Sequence, residues 1–341
     1  MPAAMSTKEI REAVAKLPRV RLAHLPTPLE EAPRFSQTLG TTVRVWIKRD
    51  DCTGLLLGGN KARHNEIILG DAVDQGCDTV VWGAAVQSNN CRQTAAACAK
   101  LGLECRLYLS GKPPMTPQGN LLLDYLVGAK VEFTDAKLGP ELDDYLAGKA
   151  AEANASGRRS YYWHRPRVLP RATVSYVLSL VEIVEQMTAL DLAPDAIYVC
   201  SAGSTGAGIA LGRKLLGMTA PARLICPMHW PWSIPDDLAH SANAAAELLG
   251  VPHRLTADDI DADESYVAPG YGLPSAASRE ALSLLAKTEG ILTDPVYSSK
   301  ALAALIHDVR SGRYAPGSNI VFIHTGGVPA IFAETEKVLP M

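Results

Sequence analysis

A chain of 341 residues, 47% of them hydrophobic, holds material for about two domains with cores of their own. A net charge of −3 provides no broad basic field for nucleic acid and no acidic tail. The seven cysteines form no C-x-x-C pair, lack the histidine spacing of a zinc site and are odd in number, so neither a metal site nor a complete disulfide framework is expected.

The opening stretch, MPAAMSTKEIREAVAKL, lacks the apolar core of a signal peptide, and no apolar run reaches spanning length; a reduced, soluble, cytoplasmic protein is expected. Strand-like runs follow at VRVWIKR (43–49), TVVWG (79–83), CRLYL (105–109), KVEF (130–133) and SYYW (160–163), then at AIYVC (196–200), RLIC (223–226) and NIVFIHT (319–325). Helical patterns lie between them, among them KARHNEIILGDAVDQG, SNNCRQTAAACAKLG and STGAGIALGRKLLG, the last two stopping at glycine. Cys91, Cys98 and Cys105 fall on or beside one of these patterns and read as small buried hydrophobes. Alternating strands and helices predict an α/β fold of two open, twisted parallel-sheet domains. The strands fall into two groups joined by HRPRVLPR (164–171). The expected division is a large domain from residues 1–55 and 165–341 and a small one from 56–164.

Ligands of such folds sit beyond the carboxyl ends of the strands, which directs attention to three loops. CSAGSTGAG (200–208) joins a strand to a helix; its glycines permit a sharp turn, Ser204 and Thr205 add hydroxyls, and the free N–H groups favour a phosphate. The spacing is G-x-x-G-x-G, with no acidic residue closing the next strand and no G-K-[ST], so a single phosphate monoester fits better than a nucleotide; a plain strand–helix turn is the alternative. In AAVQSNNCRQ (84–93), Ser88 is placed to cap a helix whose first N–H groups could seat a carboxylate, or to cap and nothing more. In GGNKARHNE (58–66), Lys61 falls in the first turn of a helix, where the dipole disfavours an ammonium, lowers its pKa and frees the amine for condensation with a carbonyl. An amine that condenses with an aldehyde, beside a site for one phosphate, describes pyridoxal phosphate.

The ordered motifs GGNKARHNE, VQSNNCRQTAA, GSTGAG, APGYGLPS, DPVYSSKAL and FIHTGG, with LPTPLE near the start, span nearly the whole chain. Together they resemble the D-cysteine desulfhydrase and 1-aminocyclopropane-1-carboxylate (ACC) deaminase family of pyridoxal-phosphate enzymes, which have the tryptophan-synthase-β fold (fold type II) with the cofactor in the cleft between two domains. The resemblance implies that Lys61 holds pyridoxal 5'-phosphate and moves the substrate's α-proton. It implies that Asn89 contacts the pyridine 3-oxygen, that Gly203, Ser204, Thr205 and Gly206 hold the phosphate, and that Thr325 bonds the pyridine nitrogen. Ser88, with the amides of Asn89 and Asn90, would grip the substrate carboxylate, and Tyr271 and Tyr297 would reach the substrate from the other side. A small amino-acid substrate and a homodimer are implied as well.

Ser298 stands where the ACC deaminase pattern has a glutamate against the pyridine nitrogen. A hydroxyl does not keep that nitrogen protonated, so the ring is a weaker electron sink. A weaker sink suffices when a good leaving group departs from Cβ, which favours β-elimination, as in the desulfhydrase and cysteate sulfo-lyase branch, over ring opening. β-Replacement, or a phosphate-binding module without covalent chemistry, stay as alternatives. Asn90 replaces the family's usual histidine. WHRPRVLPRATVSY (163–176), with Arg165, Arg167 and Arg171, replaces an expected glycine–serine segment, and MHWPWSIP (228–235) is unusually aromatic. Two readings of the arginines follow: one of them holds an anionic β-substituent, or all three decorate a solvated linker.

Overall fold

The computed structural model describes residues 2–338. Ten strands form two sheets: β1 (Leu29–Glu31), β2 (Arg44–Lys48), β3 (Thr79–Ala85), β4 (Glu104–Ser110), β5 (Lys130–Thr134), β6 (Ser160–Tyr162), β7 (Ala196–Cys200), β8 (Ala222–Ile225), β9 (Asp261–Asp263) and β10 (Asn319–Ile323). One sheet has the order β5-β4-β3-β6 and is parallel throughout. The other has the order β1-β2-β10-β7-β8-β9 and is parallel except for the β1–β2 pair.

The central strands are buried on both faces, which is why they read as unbroken apolar runs. All five residues of β7 are buried. In β10, Val321 and Ile323 pack with the helix Arg165–Thr188 side of the sheet, whereas Ile320 and Phe322 pack under Leu302 and Leu305 on the other. A separate core of Val80, Trp82, Leu107 and Leu109 lies in the four-stranded sheet, covered by Cys91, Ala95 and Cys98 of the helix Asn89–Leu101; the cysteines are small buried hydrophobes here.

The segment 164–171 is not a linker. Arg165 begins a 24-residue helix, Arg165–Thr188, that tolerates Pro166 in its first turn and carries Pro170 inside. Its middle is buried against the helix Ser204–Leu216, where a Cβ at Gly208 would come within 2.3 Å of the Thr173 carbonyl oxygen. Glycine there lets the two backbones approach closely.

Beneath this packing lies a buried ion network. The Arg63 guanidinium is bonded to Asp50 (2.9 Å) and Glu182 (2.7 Å), and Lys48 Nζ to Glu182 (2.9 Å), the Thr27 carbonyl and Gln186. Two cations face two carboxylates, and Tyr176 adds a hydroxyl bond to Asp50 (2.6 Å), so no charge is left uncompensated.

Candidate active site

Both sheets reverse their strand order at one point, and both reversals open on the same cleft. From β3 the chain runs outward through β4 and β5 on one side and returns to β6 on the other; from β7 it runs to β8 and β9 on one side and returns to β10 on the other. The loops leaving β3, β7 and β10 therefore diverge at their carboxyl ends, where an α/β sheet leaves a crevice. A cavity lies there, lined from all three loops and from Lys61.

Lys61 is the first residue of the helix Lys61–Asp74. Its Nζ has no hydrogen-bond or ion-pair partner among the described residues, and burial alone lowers its pKa from 10.5 to about 8. The helix start is built by neighbours. Asn60 caps nothing with its own side chain; instead Gln93 Oε1 accepts the Ala62 N–H (2.7 Å), and Asn60 Nδ2 donates to Thr205 Oγ1 (3.1 Å). The two glycines before it are required by crowding. A Cβ on Gly58 (φ +69°) would lie 1.7 Å from the Asp51 carbonyl oxygen, and one on Gly59 (φ +124°) would meet Gln93. Leu56 and Leu57 also take positive φ, and Arg92 holds this turn by donating to the carbonyls of Leu56 and Gly58.

The β7 loop is organised around Ser201, whose Oγ accepts from the N–H groups of Gly203 (3.2 Å) and Gly206 (2.9 Å). Gly203 precedes the helix Ser204–Leu216, and the N–H groups of Ser204 and Thr205 have no acceptor among the described residues, which leaves them for an anion. Gly206, expected beside them, does not line the cavity, because its N–H is turned onto Ser201. The Thr205 hydroxyl also touches His64 Nε2 (3.2 Å), whose pKa is pushed well below 6.5 by burial and then by the charges of Lys61 and Arg63.

At the β3 loop, Ser88 caps the helix Asn89–Leu101 by accepting from the N–H groups of Asn90 (3.2 Å) and Cys91 (3.1 Å). Its own O–H is thus free to donate, and so is the Asn89 N–H, while the Asn90 amide expected at a carboxylate is spent on Ser88. Asn89 Oδ1 accepts from Asn120 Nδ2 (3.0 Å), which leaves the Asn89 amide nitrogen to donate into the cavity, and Asn120 is itself fixed by Arg92 Nε (2.7 Å) and Gln87. Asn90 lines the cavity, 3.5 Å from Thr94 Oγ1.

Tyr297 reaches the cavity from the opposite side, while Tyr271 stands behind it; the two hydroxyls meet at 2.5 Å. Burial raises the pKa of both phenols, so both are neutral hydrogen-bonding groups. Thr325 and Gly326 enter from β10. The Thr325 carbonyl accepts the Asn60 N–H (2.9 Å) and its hydroxyl has no protein partner among the described residues. Ser298 is fully buried and bonded to Asp294, outside the cavity lining. The hydroxyl facing the cavity from this quarter is Thr325, and among the described residues no carboxylate lines the space.

The arginines do not line the cavity, which goes against the reading in which one of them holds an anionic β-substituent. Arg165 is bonded to Asp237 (2.9 Å), and Arg167 and Arg171 both to Asp71 (3.0 Å each), so among the described residues Lys61 is the sole charged group in the lining. The aromatic segment takes that wall: Pro227, Met228 and Trp230 line the cavity. Sequence reasoning also missed Asn60, Cys200 and Ser201, all of them lining residues. Ser201 had a signal, since a serine directly after a strand and before Gly203 commonly bonds the N–H groups that follow it.

The donors present fit pyridoxal phosphate. An unpaired amine of lowered pKa suits an aldehyde, two open N–H groups at a helix start suit a phosphate, and Asn89 and Thr325 offer neutral groups to the ring. Among the described residues no cluster of side chains suits a metal ion, and no helix is long and apolar enough to cross a membrane.

Comparison with known proteins agrees. Residues 20–326 match the family described as pyridoxal-phosphate dependent enzyme. The chain is 38% identical over 333 residues to the D-cysteine desulfhydrase of Salmonella typhi, covering 94% of this chain and 97% of that one. It is 36% identical over 332 residues to the D-cysteine desulfhydrase of Salmonella choleraesuis, with the same coverage. Among solved structures, an ACC deaminase homologue superposes with a TM-score of 0.86 at 35% identity, covering 97% of this chain and 98% of that one. A threonine deaminase from T.th. superposes with a TM-score of 0.63 at 18% identity, covering 95% and 98%, a likeness of fold.

Proposed function

The chain belongs to the pyridoxal-phosphate dependent enzyme family, and from that membership we propose that it is a lyase catalysing β-elimination on a small β-substituted amino acid such as D-cysteine. Keto acid, ammonium and the β leaving group are the products. The observation that carries this reading is the Lys61 amine, unpaired among the described residues, in a cleft that none of their carboxylates lines, together with an open helix start. The cleft would lie between a small domain of residues 56–164 and a large one of 1–55 and 165–341.

When bound, pyridoxal phosphate draws electrons from the substrate's α-carbon. The chain's own residues do the rest. Ser204 and Thr205 N–H groups bind the phosphate, and Asn89 Nδ2 and Thr325 Oγ1 orient the ring. The Ser88 hydroxyl and the Asn89 N–H hold the substrate carboxylate. Lys61 Nζ, whose ammonium form burial disfavours, is the basic side chain in the lining that takes the α-proton. Tyr297, braced by Tyr271, stands across the cavity as the neutral donor to a departing β-group. That no carboxylate among the described residues lines the cavity supports elimination of a good leaving group over ring opening. Homodimerisation and a cytoplasmic location belong to the same proposal, and sizing of the purified protein checks the first.

The purified protein should be yellow, and borohydride should fix the chromophore to the peptide containing Lys61. It should release pyruvate from D-cysteine, and Lys61→Ala should cost more than the roughly 10²–10⁴-fold attributable to acid–base help alone. A colourless protein that refuses added pyridoxal phosphate would overturn the reading.

A further inference from the structure

The cavity wall formed by Pro227, Met228 and Trp230 is apolar and braced. Trp230 lines the cavity and stacks on Trp232 with ring centroids 4.7 Å apart and planes 9° apart. Trp232 is outside the lining. Arg165 covers its ring, Cζ at 5.4 Å from the centroid, while bonded to Asp237. Trp230 also reaches across the cleft, since a Cβ on Gly139, at the start of the helix Pro140–Ala155, would stand 3.8 Å from its ring. The ring is therefore held from behind by a second indole and an ion pair, and Met228 lines the same cavity.

We propose that this wall selects the substrate: the β-substituent is uncharged and apolar, a thioether carrying an alkyl or aryl group that lies on Trp230 and Met228. The proposal rests on the β-elimination reading above. An anionic β-group, such as a sulfonate, would enter a space where, among the described residues, the one charged side chain is Lys61, the residue committed to the cofactor and the α-proton, and would stay uncompensated. An aromatic or thioether group gains contact with the indole face and the methionine sulfur. The reaction balances without a redox partner. The Cα–H and Cβ–S bonds break, the sulfur leaves with its electron pair and takes a proton as a thiol, and water converts the remaining enamine to pyruvate and ammonium.

The test uses the holoenzyme with both enantiomers of S-benzylcysteine, S-methylcysteine, cysteine and cysteate, measuring kcat/KM for pyruvate release. The better enantiomer of S-benzylcysteine should exceed cysteate by at least about tenfold, the discrimination an apolar contact can supply. Trp230→Ala should lower the ratio of S-benzylcysteine to cysteine by about tenfold, and Trp230→Phe should retain most of it. Cysteate as the best substrate, or an equal loss on every substrate in Trp230→Ala, overturns the proposal. Turnover of cysteine with rejection of S-benzylcysteine overturns it while leaving β-elimination standing; pyruvate from none of the four removes both.

Discussion

Replacing the lysine that the cofactor needs should make the cofactor-free protein more stable. Lys61 makes no ion pair among the described residues, and burial alone lowers its pKa, so in the cofactor-free protein its ammonium is a cost. The interval from 10.5 to about 8, at about 1.36 kcal/mol per pH unit, is worth roughly 3 kcal/mol. Solvent at the cavity mouth trims this to about 2 kcal/mol. Lys61→Met keeps the apolar stem and removes the charge. The sign of the pH dependence follows from proton counts. The folded pKa is the lower one, so between about pH 8 and 10.5 the unfolded chain binds more protons and the wild type gains stability as pH rises. Below that window both states carry the ammonium and the full penalty stands; above it both are neutral and the penalty is gone. Urea unfolding of both cofactor-stripped proteins should therefore show Lys61→Met more stable by about 2 kcal/mol near pH 7, with the gap closing toward pH 10.5. His64, whose pKa Lys61 helps to lower, stays below this window in either protein because burial and Arg63 hold it down as well, and groups farther away titrate alike and cancel. A variant no more stable than the wild type, or a gap independent of pH, would refute the reasoning.

Two further substitutions probe what holds the lysine in place. Arg63→Met leaves Asp50 and Glu182 facing only Lys48, and breaking such a buried pair should cost about 3–5 kcal/mol in denaturant unfolding. Gly326→Ala puts a Cβ 2.7 Å from the Gly59 Cα at a φ of +91°, and the clash falls on backbone that cannot yield without moving the turn before Lys61. Cofactor affinity, read by absorbance titration, should fall by at least about tenfold, whereas an unchanged affinity would mean the turn is slacker than its contacts imply.

The sequence was most legible where the signal is local. β7 matches its predicted bounds, because a fully buried parallel strand reads as an unbroken apolar run bounded by turn residues. The start of the Lys61 helix was legible from Gly58, Gly59 and the apolar period after them. Strands β1 and β9 were not, since LEE and DAD are only three residues long, carry no β-branched residue and are strands only through pairing with β2 and β8. The arginines of the 165–171 stretch were misread because their carboxylate partners, Asp71 and Asp237, lie 72 to 100 positions away. Gln93, which accepts the Ala62 N–H, is likewise 31 positions from it, and no local pattern announces such a cap. Trp230 stood out only as an oddity of composition; its role as a wall depends on how β8 delivers its loop to the cleft.

The strand order has a consequence for biosynthesis. β10, late in the chain, sits between β2 and β7, and the turn after it supplies the carbonyl that receives the Asn60 N–H and the glycine packed on Gly59. A nascent chain therefore lacks both the middle of its larger sheet and the support under its reactive amine until residue 326 has left the ribosome. Capture of the vitamin waits for that residue, and a yellow colour reports a chain made at least that far.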